Sequence, residues 1–73
     1  MPSIPVIQVK KLIRILSKVG YTVDESKGKG SHAKLYGFDG SSITIPKTLN
    51  SPRVRSSIAK YLIKQGTNID KIF

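Results

Sequence analysis

An α+β fold in the order α-β-β-β-α follows from three features of this 73-residue chain. Apolar residues recur at helical spacing near both ends, apolar and polar residues alternate in the middle, and glycine- or proline-bearing turns separate the segments. Three strands in hairpin order form an antiparallel sheet with one apolar face. Two amphipathic helices then cover that face and leave the other to solvent. A chain of this length is expected to be a single domain spanning residues 1–73, burying roughly 60% of its unfolded surface. That leaves no room for a deep internal cavity, so a substrate must lie on the surface or in a shallow groove.

The first helix is expected over residues 6–19. Val9, Leu12, Ile13, Leu16 and Val19 fall on one face at about 100° per residue, and Lys10, Lys11, Arg14 and Lys18 cluster on another. Gly20 stands where a left-handed C-terminal cap belongs. In residues 21–26, Tyr21 and Val23 alternate with Thr22 and Asp24, the pattern of a short half-buried strand. A glycine–lysine turn follows and leads into a second strand over residues 32–36. Lys34 sets the phase of that strand, because an unpaired lysine is too costly to bury in so small a core. Ala33 and Leu35 therefore point inward, and His32, Lys34 and Tyr36 outward.

The Gly-Phe-Asp-Gly segment at 37–40 is turn chemistry between strands. In the third strand Ile43 and Ile45 face inward and Thr44 outward, and Pro46 ends the ladder. Ser51 followed by Pro52 reads as an N-cap with proline in the first helical turn. The last main helix then runs to Gln65, with Val54, Ile58, Tyr61 and Leu62 on its apolar face, Arg53, Lys60 and Lys64 on another, and Gly66 as the stop. The tail adds a short turn whose Ile69, Ile72 and Phe73 close an edge of the core.

Charge narrows the functional classes. Thirteen Lys and Arg against four Asp and Glu give a net charge of +9. An excess of this size attracts polyanions, with nucleic acid first, an acidic protein second and an anionic membrane surface third. There is no cysteine and one histidine, so disulfides and thiolate metal sites are excluded and a pre-built metal site is not expected. Nothing approaches the roughly 20 apolar residues of a membrane span, and the N-terminal residues lack the pattern of a secretory signal. The expected location is the cytoplasm, with no membrane partner.

The chemistry concentrates around Gly28-Lys29-Gly30-Ser31-His32. It is not a phosphate-binding P-loop, which needs a different spacing and opens a helix rather than a strand. Glycines allow close backbone approach to an anion, and Lys27, Lys29 and Lys34 add positive charge around His32. A neutral imidazole in such a setting is a candidate general base. Such a group can take a proton from a ribose 2′-hydroxyl while the lysines stabilise charge growing on the phosphate. The outcome is metal-independent RNA cleavage with a cyclic phosphate product. The expected RNA-contacting set is Lys27, Lys29, Gly30, Ser31, Lys34, Tyr36 and Lys47, with Tyr36 available to stack on a base. Against this stand plainer readings: a solvated histidine beside a turn, two solvated helix faces, and an ordinary exposed strand tyrosine.

Taken together, Gly20-Tyr21, Gly30-Ser31-His32, Ile43-Thr44-Ile45-Pro46 and the helix from Arg53 to Gly66 resemble the HicA toxins over roughly residues 8–66. The resemblance implies a double-stranded-RNA-binding-domain-like fold and an mRNA interferase whose essential catalytic group is His32. It also implies a HicB-type antitoxin partner and a place in a toxin–antitoxin stress response, with no small-molecule cofactor. The chain differs behind Pro46, where Lys47, Thr48, Leu49 and Asn50 replace a segment that often carries a further histidine. With one histidine, protonation of the leaving 5′-oxygen falls to a lysine, to Tyr36 or to water. Two alternatives remain: a non-catalytic RNA-binding module of the same fold, and a basic domain that docks an acidic protein.

Overall fold

The computed structural model describes residues 3–25 and 32–73. It contains α1 (Val9–Val19), β1 (Thr22–Asp24), β2 (Ala33–Tyr36), β3 (Ser42–Ile45), α2 (Pro52–Lys64) and a one-turn α3 (Ile69–Ile72). The strands form one antiparallel sheet in the order β1-β2-β3. The fold is thus α+β with the expected element order, and the C-terminal turn is a helical turn.

The central strand β2 carries the register. Leu35 lies opposite Val23 on one side and Ile43 on the other, and Ala33 lies opposite Ile45. Ala33, Leu35 and Ile45 are buried, whereas Lys34 is half-exposed and Thr44 exposed, so the phase expected from Lys34 holds. Leu12 and Leu16 of α1 and Ile58, Ala59 and Leu62 of α2 join these strand residues in one core cluster. Apart from Tyr21, whose ring carries a hydroxyl, every buried side chain among the described residues is aliphatic.

α1 starts at Val9, three residues later than its apolar pattern suggests. Gln8 is extended at φ −70° and ψ 145° and its side chain makes no capping bond. The preceding residues serve the core as an extended lead-in: Ile4 is buried and Ile7 packs against the cluster. Pro5 and the β-branched Val6 and Ile7 suit that conformation better than a helical one. The far end closes as expected, with Gly20 at φ +114° and the amides of Gly20 and Tyr21 both donating to the Leu16 carbonyl. Leu49, in the loop between β3 and α2, is also buried. Arg55 holds that loop down, donating from Nη1 to the Leu49 carbonyl at 2.6 Å.

A polar latch joins the β2–β3 turn to the end of α2. The Phe38 amide donates to Gln65 Oε1 at 2.8 Å, and the Ser41 and Tyr61 hydroxyls are hydrogen-bonded at 2.8 Å. Asp39 Oδ1 accepts from both the amide and the hydroxyl of Ser41. Gly37 makes this approach possible, because a Cβ there would run into the Tyr61 hydroxyl and lie 2.7 Å from Gln65 Cδ. Beside the latch Phe38 stacks on Tyr21 with ring centroids 4.4 Å apart, and the Tyr21 hydroxyl is hydrogen-bonded to Thr67. One end of the sheet is thereby tied to the C-terminal end of α2.

Two outcomes follow from the latch. Gly37→Ala forces Tyr61 and Gln65 out of their hydrogen bonds and lowers stability by about 1–3 kcal/mol, read as a shift of the urea midpoint. Hydrogen bonds from the Ser41 hydroxyl, the Ser41 amide and the Gln65 side chain hold the Asp39 carboxyl down at about 2, from an ordinary 3.8. A depressed folded value stabilises above the unfolded value and loses that contribution as pH falls. The stability difference between wild type and Asp39→Asn should therefore be constant above about pH 5 and shrink as acid is added from 3.8 towards about 2. A difference unchanged across that window would show that the carboxylate contributes nothing to the latch.

Candidate nucleic-acid interface

His32 lies immediately before β2, at the end of that strand opposite the latch. It is exposed, as expected, but strand parity alone does not describe its surroundings. It lines a shallow groove of about 310 Å³ together with Ile43, Thr44 and Pro46 from the β3 side and Val54, Ser57 and Ile58 from α2. The groove therefore follows the free edge of β3 and the first half of α2, rather than the middle of the open sheet face. Pairing explains the position: Ala33 is opposite Ile45, so the residue before it comes level with Pro46, where the ladder has ended. Among the described residues β3 has no further strand on its outer side, which leaves the groove open along that edge.

Around the imidazole the groove offers an apolar floor and hydroxyl-bearing rims. Ile58 is buried and Val54 half-buried, while the side chains of Thr44 and Ser57 are exposed. Ser57 carries the face of α2 that also holds Arg53, Lys60 and Lys64, all exposed. Among the described lining residues His32 is the one titratable group. Among the described residues there is also no cluster of three or more His, Cys, Asp or Glu that could hold a metal ion. No described helix is long and apolar enough to cross a membrane.

The other expected contacts separate into three places. Lys34 and Tyr36 lie together on the open face of β2, with Lys34 Nζ 5.8 Å from the centroid of the Tyr36 ring. One face of that ring is already occupied by a cation, an exposed contact worth about 0.5–1 kcal/mol, so base stacking there must use the other face or displace the lysine. Lys47 follows Pro46 but lines a different groove of about 530 Å³, with Lys11, Gln8, Thr48 and Asn50 among its walls. Lys27, Lys29, Gly30 and Ser31 lie outside the described residues.

Two contributors escaped the sequence reading. Thr44 was assigned outward without a role, and Ser57 was not singled out. Their signal was present in part: Ser57 falls between Arg53 and Lys60 on the basic face at the helical repeat, though nothing local marks it as facing a histidine 25 residues earlier. Comparison of the chain with protein-family models, with curated proteins and with solved structures found no match.

Proposed function

We propose that this protein is a metal-independent endoribonuclease of the HicA toxin type, with His32 as its catalytic group and mRNA as its substrate. The observation that carries the reading is the placement of the chain's single imidazole, exposed at the mouth of an edge groove in a domain of net charge +9. A histidine retained for packing would be enclosed by the core, whereas this one borders hydroxyls and open space. In the proposed step His32 takes the proton of a ribose 2′-hydroxyl, and the 2′-oxygen attacks the adjacent phosphorus. The bond to the 5′-oxygen breaks, giving a 2′,3′-cyclic phosphate and, after protonation, a 5′-hydroxyl. Cationic side chains that the bound strand meets stabilise the charge on the phosphoryl oxygens.

The strongly basic surface also fits a partner rich in acidic residues, and a HicB-type antitoxin covering the His32 groove would silence the enzyme in the cytoplasm. A second reading has its own support: the groove's described walls supply no second titratable group to protonate the leaving oxygen. That arrangement suits an RNA-binding module without chemistry.

Incubation of purified protein with RNA separates the two. On the catalytic reading His32→Ala lowers the cleavage rate by about 10²-fold or more, retains the circular dichroism spectrum and RNA binding of the wild type, and relieves growth arrest on expression. Cleavage persists in EDTA and leaves cyclic-phosphate ends. Wild-type binding without cleavage supports the module, and loss of cleavage on chelation rules out the metal-free step.

A further inference from the structure

The outer stripe of α2 gives the groove a direction. At about 100° per residue, positions 53, 57, 60 and 64 fall within about 60° of arc, so Arg53, Ser57, Lys60 and Lys64 form one narrow line. All four side chains are exposed. Ser57 belongs both to this line and to the wall of the His32 groove. From Arg53 to Lys64 the line covers about 16 Å at 1.5 Å per residue, passing from the groove towards the latch end of the sheet.

Its electrostatics are poorly suited to a merely solvated helix face. The four carboxylates of the chain are Asp24, Glu25, Asp39 and Asp70, so α2 carries none. Arg53 stands in the first turn, where a cation opposes the helix dipole, and no acidic residue accompanies it there. Lys60 and Lys64 repel each other at i,i+4. Only Lys64, in the last turn, complements the dipole. Arg55, by contrast, has an internal use in holding the Leu49 carbonyl. Arg53 and Lys60 thus have no favourable charge partner within the helix, and they stand in line with a groove that ends at a histidine.

We propose that the stripe Arg53–Ser57–Lys60–Lys64 is a phosphate track along which a single RNA strand runs away from His32. The proposal rests on the nuclease reading for the ligand at His32 and adds the route its flanking nucleotides take. A span of about 16 Å accommodates several backbone phosphates, given about 3.4 Å of axial rise per nucleotide in a stacked strand. RNA is a better fit than an acidic protein, because a protein interface needs a centre of apolar or aromatic anchors. α2 exposes one large apolar side chain, Ile63, and it lies on the side of the stripe away from the groove. Phosphate binding requires only spaced cations and hydroxyls.

The test compares two variants of equal charge change on an uncleavable single-stranded 2′-O-methyl RNA. Arg53→Gln/Lys60→Gln/Lys64→Gln removes the track, and Lys10→Gln/Arg14→Gln/Lys18→Gln removes the basic face of α1. The expected result is a loss of about tenfold or more in affinity at low salt for the α2 variant, with the salt slope reduced by about 2. The α1 variant should lose clearly less on both measures. Equal losses in the two variants would show diffuse attraction and overturn the track, as would an absence of RNA binding by the wild type. A parallel loss for a poly-glutamate peptide bound as tightly as the RNA would mark a protein-docking face and overturn it too. Wild-type cleavage of the all-ribose oligonucleotide is scored separately, so failure of the nuclease reading leaves the binding comparison interpretable.

Discussion

The burial of Leu35 between Val23 and Ile43 is the constraint on which the rest of this small molecule depends. β2 is paired on both sides, and its side chains alternate strictly, so seating Leu35 and Ala33 in the core assigns every neighbour to a face. A slip of one residue would bury Lys34 and expose Leu35. Among the described residues no buried side chain is charged, so none there could compensate the lysine. The position of His32 is a direct consequence, since it precedes Ala33 and arrives beside Pro46 where pairing ceases.

The two ends of β2 then serve different purposes. Over the five residue steps from His32 to Gly37 the chain covers about 17 Å. At the Gly37 end, turn and helix are joined through Asp39, Ser41, Tyr61 and Gln65. At the His32 end, the groove lies between the β3 edge and α2. α2 runs between these ends, anchored at its last turn and lining the groove with its first half. A rigid attachment at one end and an open edge at the other is a reasonable way for a two-layer domain without internal space to present a site.

Among the described residues, the cations first expected to share one surface lie in different places. Lys34 with Tyr36, Lys47 with Lys11, and the α2 stripe occupy three regions that a net charge cannot distinguish. A net charge of +9 is a property of the whole domain, whereas the imidazole of His32 and the hydroxyls of Thr44 and Ser57 gather at the β3 edge. Lys47, two residues after Ile45 in sequence, stands at a bend in the chain and lines the other groove with Lys11 rather than the His32 groove.

Sequence by itself determined the element order, the phase of β2 and β3, the Gly20 and Ser51 caps, and which helix faces are apolar. Each of these depends on residues within one or two turns or pleats of each other, where steric and hydrophobic periodicity acts locally. The tertiary structure decided that Ile4 and Leu49 belong to the core, that Gly37 is needed for the approach of Tyr61 and Gln65, and that Thr44 and Ser57 flank His32. Those facts depend on how a strand edge and a helix distant in sequence come to lie side by side. Packing of the whole core sets that relation, and no local pattern encodes it.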